Sequence, residues 1–307
     1  MNTVTENSAP TSFGVITSEE IASQPARWEQ ALAQALTEPV GLPKDDERVL
    51  VIGCGTSYYV ALAYASLREE GGHGVTDAVI ASEMPTKLRE YDRVVAISRS
   101  GTTTEVSQAL ATLPAGMPVT AVLGELGTPI AKQATDIIDL SYADERSVVQ
   151  TRFPTTLITL LRAHLGQSPA SIAELIISAK EVIDGPISEE APRQLVVLAS
   201  GWATALAEEA ALKCRESAGM WAEAYATGEY RHGPISVAGP GTLVWAMTPL
   251  TEVQLQAITA TGARVHQGLN DPQVELVALQ KHAVAWAAAV GRDADVPAHL
   301  SRSVVKL

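Results

Sequence analysis

The sequence predicts an α/β protein built as two tandem three-layer αβα units, each around a mainly parallel sheet. Three observations carry this. Short β-branched runs alternate with longer Ala/Leu-rich stretches, the pattern of β-α-β units. The pattern runs twice. Val49-Leu-Val-Ile-Gly-Cys-Gly55 aligns with Leu195-Val-Val-Leu-Ala-Ser-Gly201 at an offset of 146, and Val94-Val-Ala-Ile-Ser98 with Val244-Trp-Ala-Met-Thr248 at an offset of 150. Finally, turns rich in glycine or hydroxyls follow two strand runs of the first copy, at Gly53–Ser57 and Ser98–Thr104.

The elements follow in order. Residues 1–17 are rich in Thr, Ser and Asn and are expected to form a flexible tail. Residues 18–185 form the first unit with a preceding helix, and 186–307 the second. Val49–Ile52 is a strand and Tyr58–Glu70 a helix; Ala78–Ile80 and Val94–Ile97 are further strands. A helix begins near Glu105, then strands at Val119–Leu123 and Ile137–Leu140. One long helical region is expected from Thr155 to Ile183. The second series has strand Leu195–Leu198, helix Ala203–Ala218, and strands Thr242–Met247 and Ala263–Val265.

Composition narrows the function. The 307 residues are 46% hydrophobic and 19% charged, a globular balance. The net charge of -13 argues against nucleic acid or anionic membranes as partners. An anionic ligand must therefore be held by a local site against the overall field. Two cysteines make no disulfide framework and suit a reducing, cytoplasmic setting. The polar N-terminus lacks the apolar core of a signal peptide, and no apolar run is long enough for a membrane span. No clustered His/Cys set points to a metal, and no cofactor is expected.

The loop Ser98-Arg99-Ser100-Gly101-Thr102-Thr103-Thr104 places five hydroxyls and a guanidinium between a strand and a helix start. Unpaired N–H groups, the helix dipole and hydroxyl donors make such a turn a place for a phosphate; the plain alternative is an N-cap with surplus Ser/Thr. The second copy has Thr248-Pro-Leu-Thr251 there, with one N–H and one hydroxyl fewer, so a single anion site is expected. Gly53-Cys54-Gly55-Thr56-Ser57-Tyr58 lacks the third glycine of a dinucleotide fingerprint, which excludes a typical NAD site but keeps two hydroxyls at a helix start. Without a GxxxxGK[ST] loop, a sugar phosphate fits better than a nucleoside triphosphate. Glu209, Lys213 and Glu216 share one helix face at spacings of four and three. They are either a solvated ion-pair row or a proton-transfer stripe facing the cleft. His232, held before Gly233-Pro234 near Glu223, Glu229 and Arg231, is either a surface turn residue or a working imidazole.

These segments resemble the sugar isomerase (SIS) family, most closely the tandem isomerase half of glucosamine-6-phosphate synthases. The matching segments are Cys54–Ser57, Ala81–Glu83, Ser98–Thr103, Glu145–Thr156, Glu209–Glu216, Ala222–Pro234 and His299–Val304. The resemblance implies that Cys54, Gly55, Thr56, Ser57, Ser98, Arg99, Ser100 and Thr103 surround a phosphate, and that Val149 and Ser301 line a sugar. Glu216 matches the base that moves a proton between C1 and C2, supported by Glu209 and Lys213. His232 matches a ring-opening histidine lent by the neighbouring subunit, which implies a homodimer.

Two departures stand out. No nucleophilic cysteine follows Met1, so no glutamine hydrolysis is expected. Arg302 occupies the position of the family's imine-forming lysine. An arginine stays protonated and forms no imine readily, although it can still act electrostatically, and Lys306 is four residues further on. Arg302 is therefore counted with Glu216 and His232 as a candidate catalytic residue. The expectation is a phosphosugar isomerase or aminosugar-phosphate deaminase. A non-catalytic sugar-phosphate sensor and a fructosamine-phosphate deglycase are the alternatives.

Overall fold

The computed structural model describes residues 13–37 and 39–303. Its two parallel sheets account for the alternating sequence. In sheet A, β1 (Val49–Gly53), β2 (Thr76–Ile80), β3 (Arg93–Ser98), β4 (Val119–Leu123) and β5 (Asp136–Asp139) lie in the order β2-β1-β3-β4-β5. In sheet B, β6 (Gln194–Ala199), β7 (Trp221–Ala226), β8 (Thr242–Ala246) and β9 (Arg264–Gln267) lie in the order β7-β6-β8-β9. Sheet B thus repeats the order of sheet A without a counterpart of its last strand. The central strands β1, β4 and β8 are buried throughout, as continuous apolar runs in parallel sheets should be.

Helices cover both sheets. They are α1 (Val15–Ala22), α2 (Gln24–Ala35), α3 (Thr56–Glu70), α4 (Thr104–Ala111), α5 (Arg152–His164), α6 (Pro169–Asp184), α7 (Ala203–Ala218), α8 (Glu252–Thr259) and α9 (Pro272–Ala289). The largest apolar cluster joins one face of each sheet through α3, α5, α7 and α9. Smaller clusters cover the outer faces, around Leu50, Ile52 and Val94 in sheet A and Val196, Leu198 and Val244 in sheet B. Helices α3 and α7 pack on each other within the shared core. Each starts from the carboxyl end of the strand before it, β1 or β6. That packing sets the turn after β1 beside the middle of α7.

Three sequence expectations need correction. The expected helix over 155–183 is two helices, because Gly166 adopts φ +89° and Ser168 caps α6 with Pro169 in its first turn. The expected flexible tail over 1–17 stops short of its last residues. Residues 1–12 lie outside the described residues, but Val15–Thr17 are helical and Thr17 is fully buried. Asp295 accepts from Ile16 N, Thr17 N and Thr17 Oγ1 at 2.7–2.9 Å, so a carboxylate from far along the chain satisfies the start of α1. The second series, expected to run from helix Ala203–Ala218 to strand Thr242–Met247, has a further strand between them, β7. Among the described residues no helix is long and apolar enough to cross a membrane, and no group of His, Cys, Asp and Glu could hold a metal ion.

Candidate active site

In a parallel sheet of order 2-1-3-4-5 the connections from β1 and β3 leave in opposite directions. The carboxyl ends of these two strands therefore frame a crevice. The two hydroxyl-rich turns leave from this place. The first is wound tightly: a Cβ on Gly53 would meet the Ser57 carbonyl carbon at 2.7 Å, and Gly55 takes φ +53° to start α3. Thr56 and Ser57 are buried there. Cys54 is half-buried, and burial, with the charge of Glu105, pushes its thiol pKa up.

The second turn is held by its own side chains. Ser98 Oγ accepts from Gly101 N at 3.1 Å and lies 3.2 Å from Thr103 Oγ1. Ser100 Oγ accepts from Thr102 N at 3.3 Å and Thr102 Oγ1 at 3.0 Å. Gly101 sits at φ +64° with Thr128 Oγ1 only 2.1 Å from where a Cβ would stand. Thr103 makes no side-chain cap on α4, leaving the first-turn N–H groups available to an anion.

Arg99 behaves differently from the loop's hydroxyls. It is buried, with Nη1 donating to Ser147 O at 2.8 Å and Nη2 to Arg302 O at 2.9 Å. Burial lowers its pKa, opposed by the charge of Glu145.

The acidic row on α7 is buried rather than solvated. Lys213 Nζ lies 3.3 Å from Glu209 and 2.6 Å from Glu216, and Glu209 and Lys213 are each about 1% exposed. Lys213 Nζ also donates to Thr56 Oγ1 at 2.8 Å, which in turn donates to Glu209 Oε1 at 3.1 Å. The turn after β1 and the row on α7 are therefore one network. Glu209 Oε2 is buried without a hydrogen-bond partner among the described residues. Burial raises the Glu209 carboxyl to about 7, although Lys213 pulls it down. For Lys213, burial disfavours the charge, but Glu209 and Glu216 together outweigh it and the pKa rises. The network thus contains an ammonium favoured by its two acidic neighbours, a partly exposed carboxyl group at Glu216 and a second carboxyl raised to about 7.

Other candidate residues lie around this centre. Val149 is buried, and its carbonyl accepts from Ser147 Oγ at 2.7 Å. Ser301 is exposed and donates to Ser303 O at 3.0 Å. Arg302 pairs with Asp144 at 2.6 Å and Glu125 at 3.1 Å, with no hydrogen bond or ion pair to Glu209, Lys213 or Glu216. His232 is exposed on a short 3-10 turn after β7 and makes no hydrogen bond to another described residue. The chain by itself does not join it to Glu216. Lys306 lies outside the described residues.

Sequence reasoning gave no role to Asp144 or Glu125, and Glu145 entered only as part of a matching segment. Glu145 is fully buried and caps α5, accepting from Thr151 N and Oγ1 and from Arg152 N at 2.6–2.8 Å. Burial raises its pKa. The available signal was position, because Asp144 and Glu145 follow β5 at the same carboxyl edge. A cavity of 370 Å³ lies elsewhere, lined by Ile21, Ile183, Ile187 and Val284 among others. Its lining is mainly apolar, and its lysine, Lys281, already donates to the Val182 and Ile183 carbonyls. The acid–base groups and the hydroxyls lie at the carboxyl edge instead.

A parallel sheet with hydroxyl turns at its switch point thus stands beside a Glu–Lys–Glu row whose Glu209 and Lys213 are buried. Residues 44–163 match the SIS domain family. It is 28% identical over 85% of its length to the glutamine–fructose-6-phosphate aminotransferase [isomerizing] of Sulfurisphaera tokodaii, covering 50% of that protein. The Clostridium acetobutylicum protein of that name is 24% identical, over 94% of this chain and 56% of its own length. The chain thus spans about half the length of the curated relatives it matches. Among solved structures, glucosamine-6-phosphate deaminase from Thermotoga maritima superposes with a TM-score of 0.79 at 26% identity, covering 94% of this chain and 99% of that one. Tagatose-6-phosphate ketose/aldose isomerase from Escherichia coli shares the fold, with a TM-score of 0.74 at 18% identity over 98% and 99% of the two chains.

Proposed function

We propose that this chain is a phosphosugar isomerase or aminosugar-phosphate deaminase acting on a hexose or hexosamine 6-phosphate. Its units are tandem SIS domains, 18–185 and 186–307. The phosphate sits between the turn Cys54–Ser57 and the loop Ser98–Thr103, with Val149 and Ser301 toward the sugar. Glu216 carboxylate takes the C2 proton of the open-chain sugar and returns it to C1. For an aldose the product is the ketose, with no change in atoms. For a 2-amino sugar the same transfer leaves an imine at C2, which water hydrolyses to the ketose and ammonia.

The carrying observation is Thr56, which links the anion turn directly to Glu209 and Lys213. One end of a substrate can then be gripped while the other meets a base, the arrangement that turns binding energy into positioning. Lys213 Nζ lies 2.6 Å from Glu216 and fixes the orientation of its carboxyl group. His232 opens the ring from the partner subunit of a homodimer. Similarity to a named glucosamine-6-phosphate deaminase along nearly the whole chain supports the deaminase direction.

The test is solvent deuterium incorporation, at C2 of glucosamine and glucose 6-phosphates and at C1 of fructose 6-phosphate. Exchange by wild type and its loss in Glu216→Gln, with sugar-phosphate binding kept, is the expected result. Binding without exchange in wild type would establish the sensor instead.

A further inference from the structure

We propose that Arg302 is a positioning residue that latches the segment His299–Ser303 onto the anion loop, and that an anion in the loop and the latched segment stabilise each other. The proposal rests on the phosphate site described above.

All three guanidinium nitrogens of Arg302 are engaged away from the acid–base row. Nε donates to Glu145 O at 3.1 Å, Nη1 to Glu125 at 3.1 Å, and Nη2 to both oxygens of Asp144 at 2.8 and 2.6 Å. Asp144 lies just after β5 and Glu125 just after β4, so the clamp spans two connections of the same sheet edge. A planar guanidinium suits this work, since its three nitrogens, held at fixed angles, reach three separate acceptor groups at once, which the single nitrogen of a lysine ammonium does less well.

The loop side of the latch is equally specific. Arg99 Nη2 donates to the carbonyl of Arg302 itself, while Nη1 holds Ser147 O. Thr102 Oγ1 contacts Ser303 Oγ at 3.1 Å and Ser100 Oγ at 3.0 Å. Two residues of the anion loop, one a buried arginine, therefore hold the segment, and two acidic residues beyond the neighbouring strands hold its side chain. The loop geometry that presents Ser98, Ser100 and Thr103 to a phosphate is the same geometry that docks Arg302 and Ser303. Occupying either partner favours it, and the coupling must be equal in both directions. In this reading the latch takes the place that an imine-forming side chain would hold. The reaction then runs without an imine between substrate and enzyme.

The experiment compares wild type with Arg302→Ala, Arg302→Lys and Asp144→Asn. Hydrogen exchange of the peptide containing residues 299–303 is followed with and without saturating inorganic phosphate. Steady-state kinetics with glucosamine 6-phosphate run alongside. Phosphate should protect this peptide in wild type. Arg302→Ala and Asp144→Asn should lose the protection and raise KM and the phosphate Kd by about 10-fold, within the usual range of site-to-site coupling, with kcat changed far less. Arg302→Lys should recover part of the protection. Loss of kcat at unchanged KM and phosphate affinity would make Arg302 catalytic and overturn the latch. So would protection unchanged in Arg302→Ala. Phosphate binding to wild type without protection of this peptide overturns the latch alone, whereas no measurable phosphate binding overturns the phosphate site on which it rests. Protection lost in Arg302→Ala in a protein without turnover supports the latch and removes only the enzymatic reading.

Discussion

At the scale of single residues, Glu209 and Lys213 make the sharpest statements. The Glu209 carboxyl ordinarily titrates at 4.5 and is held at about 7 in the fold. The folded state therefore binds more protons than the unfolded state between these values, and stability falls as pH rises through that window. The charged form costs about 3 kcal/mol above pH 7. Glu209→Gln, which keeps the shape and can still bond Thr56, should match wild type at pH 4.5. By pH 8 it should gain up to about 3 kcal/mol on wild type in urea denaturation. Lys213→Met has the opposite sense. It leaves two carboxylates near each other without their cation and should cost about 3–5 kcal/mol at pH 8. The loss should shrink at pH 5, where Glu209 keeps its proton. The cysteines should differ as well. Cys214 is fully buried, which pushes its thiol up to about 12, whereas Cys54 is half-buried beside the anion turn. Maleimide labelling of the native protein, read by mass spectrometry, should modify Cys54 alone, and inorganic phosphate should slow it.

At the scale of elements, the anion loop depends on one backbone position. Gly101 combines φ +64° with a clash that any Cβ would make with Thr128. Gly101→Ala should destabilise the fold by about 1–3 kcal/mol and weaken phosphate binding more than it weakens the fold, since the strained turn carries the donors. Calorimetric titration with inorganic phosphate alongside thermal melting separates the two. Most strands were legible because parallel strands are buried on both faces and appear as plain β-branched runs, as at Val49–Ile52 and Val94–Ile97. Strand β7 was hidden for the converse reason. It is an edge strand whose Trp221 is 67% exposed, and its alanines and glutamate carry little strand propensity. Helix α9 was passed over because burial reaches nearly all its faces, polar Gln273, Glu275 and Gln280 included, which erases the amphipathic period.

At the scale of the whole molecule, the two sheets share a core and exchange contacts between distant parts of the chain. Asp295 holds the start of α1, so Asp295→Ala should cost about 1–3 kcal/mol and speed hydrogen exchange in Val15–Ala22 ahead of the sheets. The proposed homodimer carries its own test. Glu216→Gln and His232→Ala should each lack activity alone. Mixed and reassembled, they should recover roughly a quarter of wild-type turnover, because half the dimers would hold one intact site of two. No recovery would place His232 outside the partner's site.

The chain's sequence alone determined the α/β class, the repeated strand–turn–helix pattern and the two hydroxyl turns, because these depend on local periodicity and on glycine and hydroxyl positions. It also put Glu209, Lys213 and Glu216 on one face, since helical spacing is a local property. Only the tertiary structure decided that this face is buried against Thr56, that Glu209 thereby titrates near neutrality, and that Arg99 and Arg302 spend their donors on carbonyls and carboxylates. Those outcomes depend on which groups, 153 residues apart or more, meet in a place without water. Desolvation and pairing belong to that meeting, and no stretch of sequence contains them.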